Sequence, residues 1–452
     1  MSESNRPQKK FTQQAENDFW DKVSLEIERE IDSRKSDSEK IIEYLNEKKN
    51  TMILGLGLKR YICECFSSDM YKEKNKYKYV CEIRLDNDDI KNFKLDGFQE
   101  KDCSIDEYIE LMKVLGEKNG ITVTRQDVKR WLNAKDCKRE TIFEKLSFIL
   151  EMETEDVSAF LNKELAEKGY NFRNPYEIIY YFCHKYKLKI NKAQDLIEKY
   201  DSIISNDNEC NEYKHTSIFA NEVKAIKDEE ELLEYLKDNK TNFSNISRTI
   251  QEQFKELIED IKTLLSLIYP NIDLNHDVLE RILLEGIPRE SKGKVKYNET
   301  IDDNIEPKGA SEFVSIKKSN IKELLDNILK RDKIDKKLIG QSEPIRKDLI
   351  LLSFFKFSLL TAGYKQIIEN DKFGEESLAL SEDQNDNPIQ NMLYFREITD
   401  EMLLKNGMGE LYIPNKFDNL ILLSLCKKYS YEYFSNIIEQ SFPIEKVGKD
   451  CL

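Results

Sequence analysis

The stretch TVTRQDVKRWLNAKDCKRETIFEKLSFIL, residues 122–150, carries the clearest helical pattern in the chain. Thr124 has a side chain that suits an N-cap, and good helix formers follow it. Val128, Trp131 and Leu132 occupy the i, i+3 and i+4 positions that share one helix face. The sequence therefore predicts a short helix that buries these three side chains and exposes its polar face.

The polar face of this predicted helix is basic, although the whole chain has a formal net charge of −15. From Ile121 to Lys145 there are seven Lys and Arg side chains and only four acidic ones. The cations are Arg125, Lys129, Arg130, Lys135, Lys138, Arg139 and Lys145. Arginine and glutamine make bidentate contacts with base edges, and cations bind phosphates. The stretch predicts a helix that enters a DNA groove; the alternative is a packing helix with a solvated polar face.

Segments with helical start and stop signals surround this stretch between residues 101 and 203. Ser104 and Thr154 are predicted N-caps, and Gly120 is a signal for a helix C-terminus. Asn174 stands directly before a proline, a pair typical of a helix start. We interpret 101–203 as a helical domain of the helix-turn-helix kind.

The residues TVTRQDVKRWLNAKDCKRETIFEKLSFILEMETEDVSAFL resemble the lambda-repressor-like (Xre-type) helix-turn-helix domain of low-GC Gram-positive bacteria. The resemblance covers about residues 104–165 and implies a helical fold that binds DNA. It places Thr124 and Arg125 at the start of the recognition helix. It implies a recognition face formed by Gln126, Lys129 and Arg130, and it puts Lys135 and Lys138 in the following loop.

The composition favours a mostly helical protein of several domains. The chain has 452 residues, of which 39% are hydrophobic and 35% charged. Only 15 Gly and 9 Pro interrupt it, while 22 Tyr and 22 Phe supply large apolar groups for packed cores. We predict an all-α, multi-domain fold. The acidic net charge excludes a whole-surface attraction to nucleic acid or anionic lipid, so any DNA contact must come from a local basic face.

Changes in composition along the chain divide it into six predicted segments. These are a polar tail (1–17), an N-terminal helical segment (18–100), the helix-turn-helix-like domain (101–203), an amphipathic helical region (216–284), a linker or mobile loop (285–315) and a C-terminal helical domain (316–452). Within them, 77–85 predicts a short strand without an obvious pairing partner. Residues 373–391 are acidic and polar, and they predict an exposed loop.

Two parts of the chain follow a similar plan. Arg139 opens an apolar helix, and FRNPYEIIYYFCHKY follows later. Arg346 opens a second apolar helix, and IPNKFDNLILLSLCKKYSYEYF follows that one. This likeness indicates either a degenerate second copy of the central domain or a chance match in a helix-rich chain. The second part offers no recognisable counterpart of the basic helix.

The sequence offers little material for catalysis or metal binding. The nine Cys show no CxxC spacing, and the chain has only three His. No phosphate-binding loop, nucleophile elbow or zinc-protease motif is present. We therefore expect no cofactor, no metal and no enzymatic activity. The absence of a long apolar run and of an apolar leader predicts a cytoplasmic protein without a membrane partner.

Three functional classes remain after these exclusions. The leading prediction is a cytoplasmic bacterial DNA-binding protein that regulates transcription. Its predicted DNA-binding residues are Thr124, Arg125, Gln126, Lys129, Arg130, Lys135 and Lys138. The alternative is a non-catalytic helical scaffold that binds a protein partner or associates with itself and does not bind DNA. An enzyme of an unrecognised type is a third, weaker alternative.

Overall fold

The computed structural model describes most of the chain, including the whole central region apart from short gaps. The described residues are 19, 20, 23, 41, 44, 45, 54–73, 76–85, 89–98, 103–134, 137–165, 167–203, 216–240, 243, 247–268, 270, 290–291, 294–295, 331–338, 341–386, 388–427 and 430–441. The predicted tail 1–17 and Lys135 lie outside them. The predicted linker 285–315 also lies outside them, except for a two-residue antiparallel pair, Glu290–Ser291 with Lys294–Val295.

The described part of the chain is largely helical. The helices are α1 (Leu54–Phe66), α2 (Asp106–Lys118), α3 (Arg125–Asn133), α4 (Arg139–Thr141, continuing through a π-helical Ile142–Leu146 to Ser147–Ile149), α5 (Thr154–Glu164), α6 (Pro175–Lys185), α7 (Ile190–Ser202), α8 (Thr216–Ala225), α9 (Glu229–Asp238), α10 (Arg248–Ile268), α11 (Arg331–Leu338), α12 (Arg346–Thr361), α13 (Lys365–Ile368), α14 (Gly374–Asp386), α15 (Pro388–Lys405), α16 (Lys416–Leu425) and α17 (Ser430–Ser441). Among these helices, none has the length and apolar character that crossing a membrane requires.

A three-stranded antiparallel sheet corrects the prediction of an all-α fold. Its strands are β1 (Ser67–Glu73), β2 (Lys76–Arg84) and β3 (Ile90–Asp96), in the order β1-β2-β3. The strand predicted at 77–85 therefore has two partners. Alternate residues of β2 and β3 point into the protein, with Cys81 and Phe93 buried opposite each other. Strand β1 is exposed over most of its length, so its sequence lacks the alternation that would have predicted it.

Two hydrophobic cores organise the described residues. The first core contains buried residues from Leu54 to Leu236, which come from the sheet and from α1 to α9. The second core contains buried residues from Ile250 to Ile438 together with Phe19, Val23 and other N-terminal residues. The segment predicted at 18–100 thus contributes to both cores.

The amphipathic helical region predicted at 216–284 contains the long helix α10, which forms part of the second core. Helix α10 buries its apolar stripe completely; the stripe consists of Ile250, Phe254, Leu257, Ile258, Ile261, Leu264, Leu265 and Ile268. Asp260 is buried on the same helix and is paired with Lys356 and Lys372 at 2.6 and 2.5 Å. The helix lies against α12, whose side chains are buried almost throughout.

The prediction of an exposed loop at 373–391 is wrong, because this segment forms helix α14 and the start of α15. Phe373, Ser377 and Leu380 are buried at helical spacing. The Ser377 hydroxyl donates a hydrogen bond to the Leu360 carbonyl at 2.8 Å, which fixes α14 on α12. The acidic and polar residues that indicated a loop are also good helix formers, and three inward residues are enough to hold the helix.

The predicted caps agree with the structure at two helices and shift at two others. Asn174 accepts a hydrogen bond from the backbone of α6, and Gly120 follows α2 with a positive φ of 76°, as predicted. Helix α2 instead has Ile105 as its N-cap, since the backbone N–H of Ser104 is bound by Asp96. Helix α5 is capped by Glu153, one residue before the predicted Thr154.

Arg139 forms a network that ties α4 to α6 in the first core. Its Nε and Nη2 donate to the two carboxylate oxygens of Glu177 at 2.9 and 2.7 Å. Nη1 donates to the Lys168 carbonyl at 2.7 Å, and Nη2 also donates to the carbonyl of Gly169. The backbone N–H of Asn171 donates to Glu177 at 2.7 Å. The guanidinium is therefore held by two consecutive carbonyls and by two carboxylates, those of Glu177 and, through Nη1 at 3.1 Å, of Glu167.

Arg346 forms a similar network in the second core. Its Nη1 and Nη2 donate to the two carboxylate oxygens of Asp418 at 2.9 and 2.6 Å. Nε donates to the Gly409 carbonyl at 2.9 Å, and Nη2 donates to the Glu410 carbonyl at 2.7 Å. The backbone N–H of Tyr412 donates to Asp418 at 2.8 Å. Here one carboxylate and two consecutive carbonyls surround the guanidinium, and all of it is buried.

Candidate nucleic-acid interface

Helix α3 begins at the predicted residue. The Thr124 hydroxyl accepts a hydrogen bond from the backbone N–H of Asp127 at 3.1 Å and donates to the Asp127 carboxylate at 2.6 Å. The hydrogen bond from Thr124 is the main cause of a lowered pKa at Asp127. Thr124, predicted to contact DNA, is thus the confirmed N-cap, and its hydroxyl binds within the protein.

The inner face of α3 is fixed by burial, as predicted. Val128 is fully buried, and Trp131 and Leu132 are each 2% exposed. Helix α1 approaches closely, because the backbone N–H of Gly55 donates to the Ala134 carbonyl at 3.0 Å. This contact holds α3 in one orientation relative to the first core.

The outer face of α3 presents Gln126, Lys129 and Arg130 to solvent. Neither the Gln126 nor the Lys129 side chain forms a hydrogen bond or an ion pair with the described part of the chain. Arg130 is 69% exposed and is paired with Asp127 at 3.1 Å on the same helix. The outer face therefore offers one amide and two cations, of which one has an internal partner.

Arg125 is paired with carboxylates of the preceding helix. Its guanidinium lies 2.5 Å from Asp106 and 3.6 Å from Glu110, which are one turn apart on α2. All three side chains are more than half exposed. Sequence reasoning missed this contact, although the i, i+4 spacing of the two acids was a signal that they share one helix face.

Of the two cations predicted in the loop after α3, the structure describes only Lys138. Lys138 is exposed and precedes α4, whereas Lys135 lies outside the described residues. Arg139, counted above with the basic stretch, points into the first core, where Glu177 binds it. The basic stretch is thus not one continuous surface, because Arg139 faces inward and Arg125 and Arg130 are paired with carboxylates.

The buried histidine and the cysteines of the described residues make structural contacts in the protein. Within the part of the chain that the structure describes, no group of three or more His, Cys, Asp or Glu side chains is arranged to hold a metal ion. His184 is buried and makes hydrogen bonds to Ser147 and Tyr170 at 2.9 and 2.8 Å. Burial lowers the pKa of His184 to about 3, which keeps the imidazole neutral. The described cysteines, including Cys63 and Cys183, are free thiols.

Comparison with protein-family models, with curated proteins and with solved structures finds no match for this chain. The functional interpretation of α3 therefore depends on its own residues and their geometry.

Proposed function

We propose that this chain is a cytoplasmic bacterial DNA-binding protein that regulates transcription and contacts duplex DNA through the outer face of α3. In this proposal Gln126 contacts a base edge, as an amide does at adenine. Lys129, Arg130 and Lys138 contact base edges or phosphates. The finer architecture that we propose is a helix-turn-helix-like domain in which α2 precedes α3.

The observation that carries the proposal is the division of α3 into two faces. Trp131 and its two apolar neighbours hold the helix rigidly in the first core, while Gln126 and Lys129 stand exposed with no partner in the described residues. A recognition helix needs both properties, because base contacts require an element whose position is fixed. A packing helix would also present a polar outer face, so the proposal depends on the amide and the cation being able to reach a duplex.

The carboxylates near α3 do not prevent DNA contact. In the pairs of Arg125 with Asp106 and of Arg130 with Asp127, at least one of the two side chains is more than half exposed to solvent. Exposed ion pairs of this kind contribute only about 0–1 kcal/mol. A DNA phosphate or guanine edge offers a stronger partner for a guanidinium, so each arginine can exchange its carboxylate for DNA.

A scaffold that binds a protein partner is the second candidate, and the same carboxylates favour it. Asp106, Glu110 and Asp127 neutralise two of the cations beside α3, and the whole chain is acidic. Acidic side chains close to a duplex repel its phosphates and weaken nonspecific binding. A mixed surface of this kind suits a protein partner with complementary charges.

We further propose that the second core is a degenerate copy of the first. Arg139 and Arg346 each bind a carboxylate through two nitrogens and also bind two consecutive carbonyls, although different nitrogens make these contacts and Arg139 binds Glu167 as well. Asn174 and Asn415 cap α6 and α16, and each lies three residues before the acid that binds the arginine. Such a network requires residues from three separate segments, so its recurrence in the same chain order supports duplication over chance.

The proposed function is tested by binding of the full chain to DNA from its own promoter region in about 100 mM salt. We expect the Arg125→Ala/Gln126→Ala double variant to lose sequence preference, since each base contact contributes about 1–3 kcal/mol. Lys129→Ala should weaken binding, whereas Lys405→Ala, which removes the same charge from the exposed end of α15, should not. If the wild-type chain and the double variant bind equally, or neither binds, the scaffold becomes the better proposal.

A further inference from the structure

The two copies meet along equivalent segments. Lys168 and Met408 form an antiparallel backbone bridge. The Lys168 carbonyl is the first of the pair that binds Arg139, and Met408 directly precedes Gly409, which provides the first carbonyl for Arg346. A segment that pairs antiparallel with its own counterpart is related to it by a local two-fold axis, as at the isologous interface of a homodimer.

Close contacts around this bridge fix the copies against each other. Gly409 lies so near Asn162 that a Cβ added to it would be 2.7 Å from the Asn162 Cβ. Lys168 forms an ion pair with Glu343 at 2.8 Å, and both side chains are about one-fifth exposed. The Tyr412 ring lies beneath the ammonium group of Lys163, 5.9 Å from it. These contacts hold the second copy against the first around the bridged segments.

Helix α11 precedes Arg346 in the chain as α3 precedes Arg139, although the sequence indicated no counterpart. Each precedes its network arginine and turns residues at the i, i+3 and i+4 positions inward. These are Val128, Trp131 and Leu132 in α3, and Ile334, Lys337 and Leu338 in α11. Lys337 is buried against Asp348 at 2.5 Å. Asp335 is exposed where α3 carries Lys129, so the second helix presents an acid in place of a cation.

We infer that this chain binds DNA as a monomer, at a single half-site that lacks two-fold symmetry. The inference rests on the proposed function of α3. Helix-turn-helix dimers read two half-sites whose symmetry mirrors that of the protein. In this inference the second copy takes the position of a partner subunit, and α11 carries the exposed acid Asp335 where α3 carries Lys129. Because an acid repels phosphate, α11 is a poor partner for a second half-site.

Selection of duplexes from a random pool with the full chain tests this inference. We expect one contiguous block of preferred bases without an inverted repeat, and one chain per duplex by mass measurement. We also expect the free chain to be a monomer. A selected inverted repeat, or two chains per duplex, would overturn the inference and leave the function of α3 intact. If no duplex is selected, the proposed function fails and the inference fails with it.

A charge reversal tests the position of α11. On a duplex of about 30 base pairs, roughly three helical turns, that contains the selected block, we expect Asp335→Lys to bind several-fold more tightly than Glu401→Lys. Both substitutions add the same charge to exposed helix positions in the second copy, so nonspecific attraction is matched. Equal affinities would show that α11 does not face the duplex and would refute the pseudo-symmetric arrangement.

Discussion

The guanidinium of Arg125 lies 2.5 Å from the carboxylate of Asp106, and this contact joins the N-terminal ends of α2 and α3. The Arg125 and Asp106 side chains are 57% and 68% exposed, so water screens their attraction. The pair therefore adds little stability. It does place a carboxylate at the start of α3, where the proposed DNA backbone would run.

The first prediction is that Asp106→Asn strengthens DNA binding. The substitution releases Arg125 from its closest partner and removes a charge that repels phosphate. An exposed pair is worth about 0.2–1 kcal/mol, so we expect a gain of about 1.5- to 5-fold in affinity in a titration at low salt. Glu107→Gln is the matched control, because it removes the same charge from the same helical turn without contacting Arg125. If both variants bind equally tightly, the gain is only a net-charge effect.

The features of α3 that the sequence predicted are those that depend on neighbours within one or two turns. The Thr124 cap and the burial of Trp131 are of this kind. The contact of Arg125 with Asp106 instead joins two helices. Arg139 faces inward, unlike the exposed cations, and its partner Glu177 lies 38 residues later in the chain. A basic run in one sequence does not distinguish an arginine that faces solvent from one that a distant carboxylate binds inside the core.

The second prediction is that Arg139→Lys and Arg346→Lys each destabilise their own core strongly. Lysine has three donors on one nitrogen and cannot bind a carboxylate and two carbonyls in the fork geometry. The carboxylate of Glu177 or Asp418 would be left incompletely paired and buried. Breaking a buried pair typically costs about 3–5 kcal/mol. Arg125→Lys, at an exposed pair, should cost less than about 0.5 kcal/mol.

The two tryptophans of the chain allow the cores to be observed separately. Trp131 is buried in the first core, and Trp20 packs against the second. Urea unfolding is followed by fluorescence in Trp20→Phe and Trp131→Phe backgrounds, so that each background reports one core. We expect Arg139→Lys to lower the urea midpoint reported by Trp131 and Arg346→Lys to leave that midpoint unchanged. Equal shifts of both signals would mean that the cores unfold as one unit.

The third prediction concerns the N-terminal residues that complete the second core. Phe19 is 1% exposed and packs with α10 and α12 residues in one apolar cluster. Phe19→Ala should reduce the free energy of unfolding of that core by about 3–5 kcal/mol, the cost of removing a buried aromatic ring. The unfolding midpoint reported by Trp20 should shift to a lower urea concentration, and DNA binding at low temperature should persist. A shift confined to Trp131 would contradict the assignment of Phe19 to the second core.

The fourth prediction is a loss of stability in mild acid caused by His184. Burial lowers the pKa of His184 to about 3 in the folded chain, against 6.5 for an unperturbed imidazole. Between these values the unfolded chain binds a proton that the folded chain does not. The free energy of unfolding therefore falls by about 1.4 kcal/mol per pH unit as the pH falls below about 6.5. Above that pH, the stability that the neutral buried imidazole contributes is fully present.

The measurement is the urea midpoint of the first core, followed through Trp131, at several pH values from 7.5 to 5. His184→Phe removes the titrating group and should flatten this dependence. The variant will itself be less stable, because the hydroxyls of Ser147 and Tyr170 lose a shared partner, but only the slope tests the prediction. An unchanged slope in the variant would assign the acid sensitivity to other groups.

The last prediction concerns the glycine that allows α1 to reach α3. Alanine is normally the better helix former by about 1 kcal/mol, so Gly55→Ala would stabilise α1 if the site were open. A Cβ on Gly55 would instead lie 2.2 Å from the Leu132 carbonyl oxygen, which is backbone and cannot rotate away. We expect α3 to be displaced, with a net loss of about 1–3 kcal/mol from overpacking, a red-shifted Trp131 emission and weaker DNA binding. Gly169→Ala adds the same methyl group at a half-buried position whose nearest neighbour, the Ser158 hydroxyl, is 3.5 Å away, and it should change none of these. If Gly55→Ala is as stable as the wild type but no longer binds DNA, the position of α3 determines binding independently of stability. If the Trp131 emission shows that α3 is displaced and DNA binding is unchanged, that result argues against α3 as the contact helix.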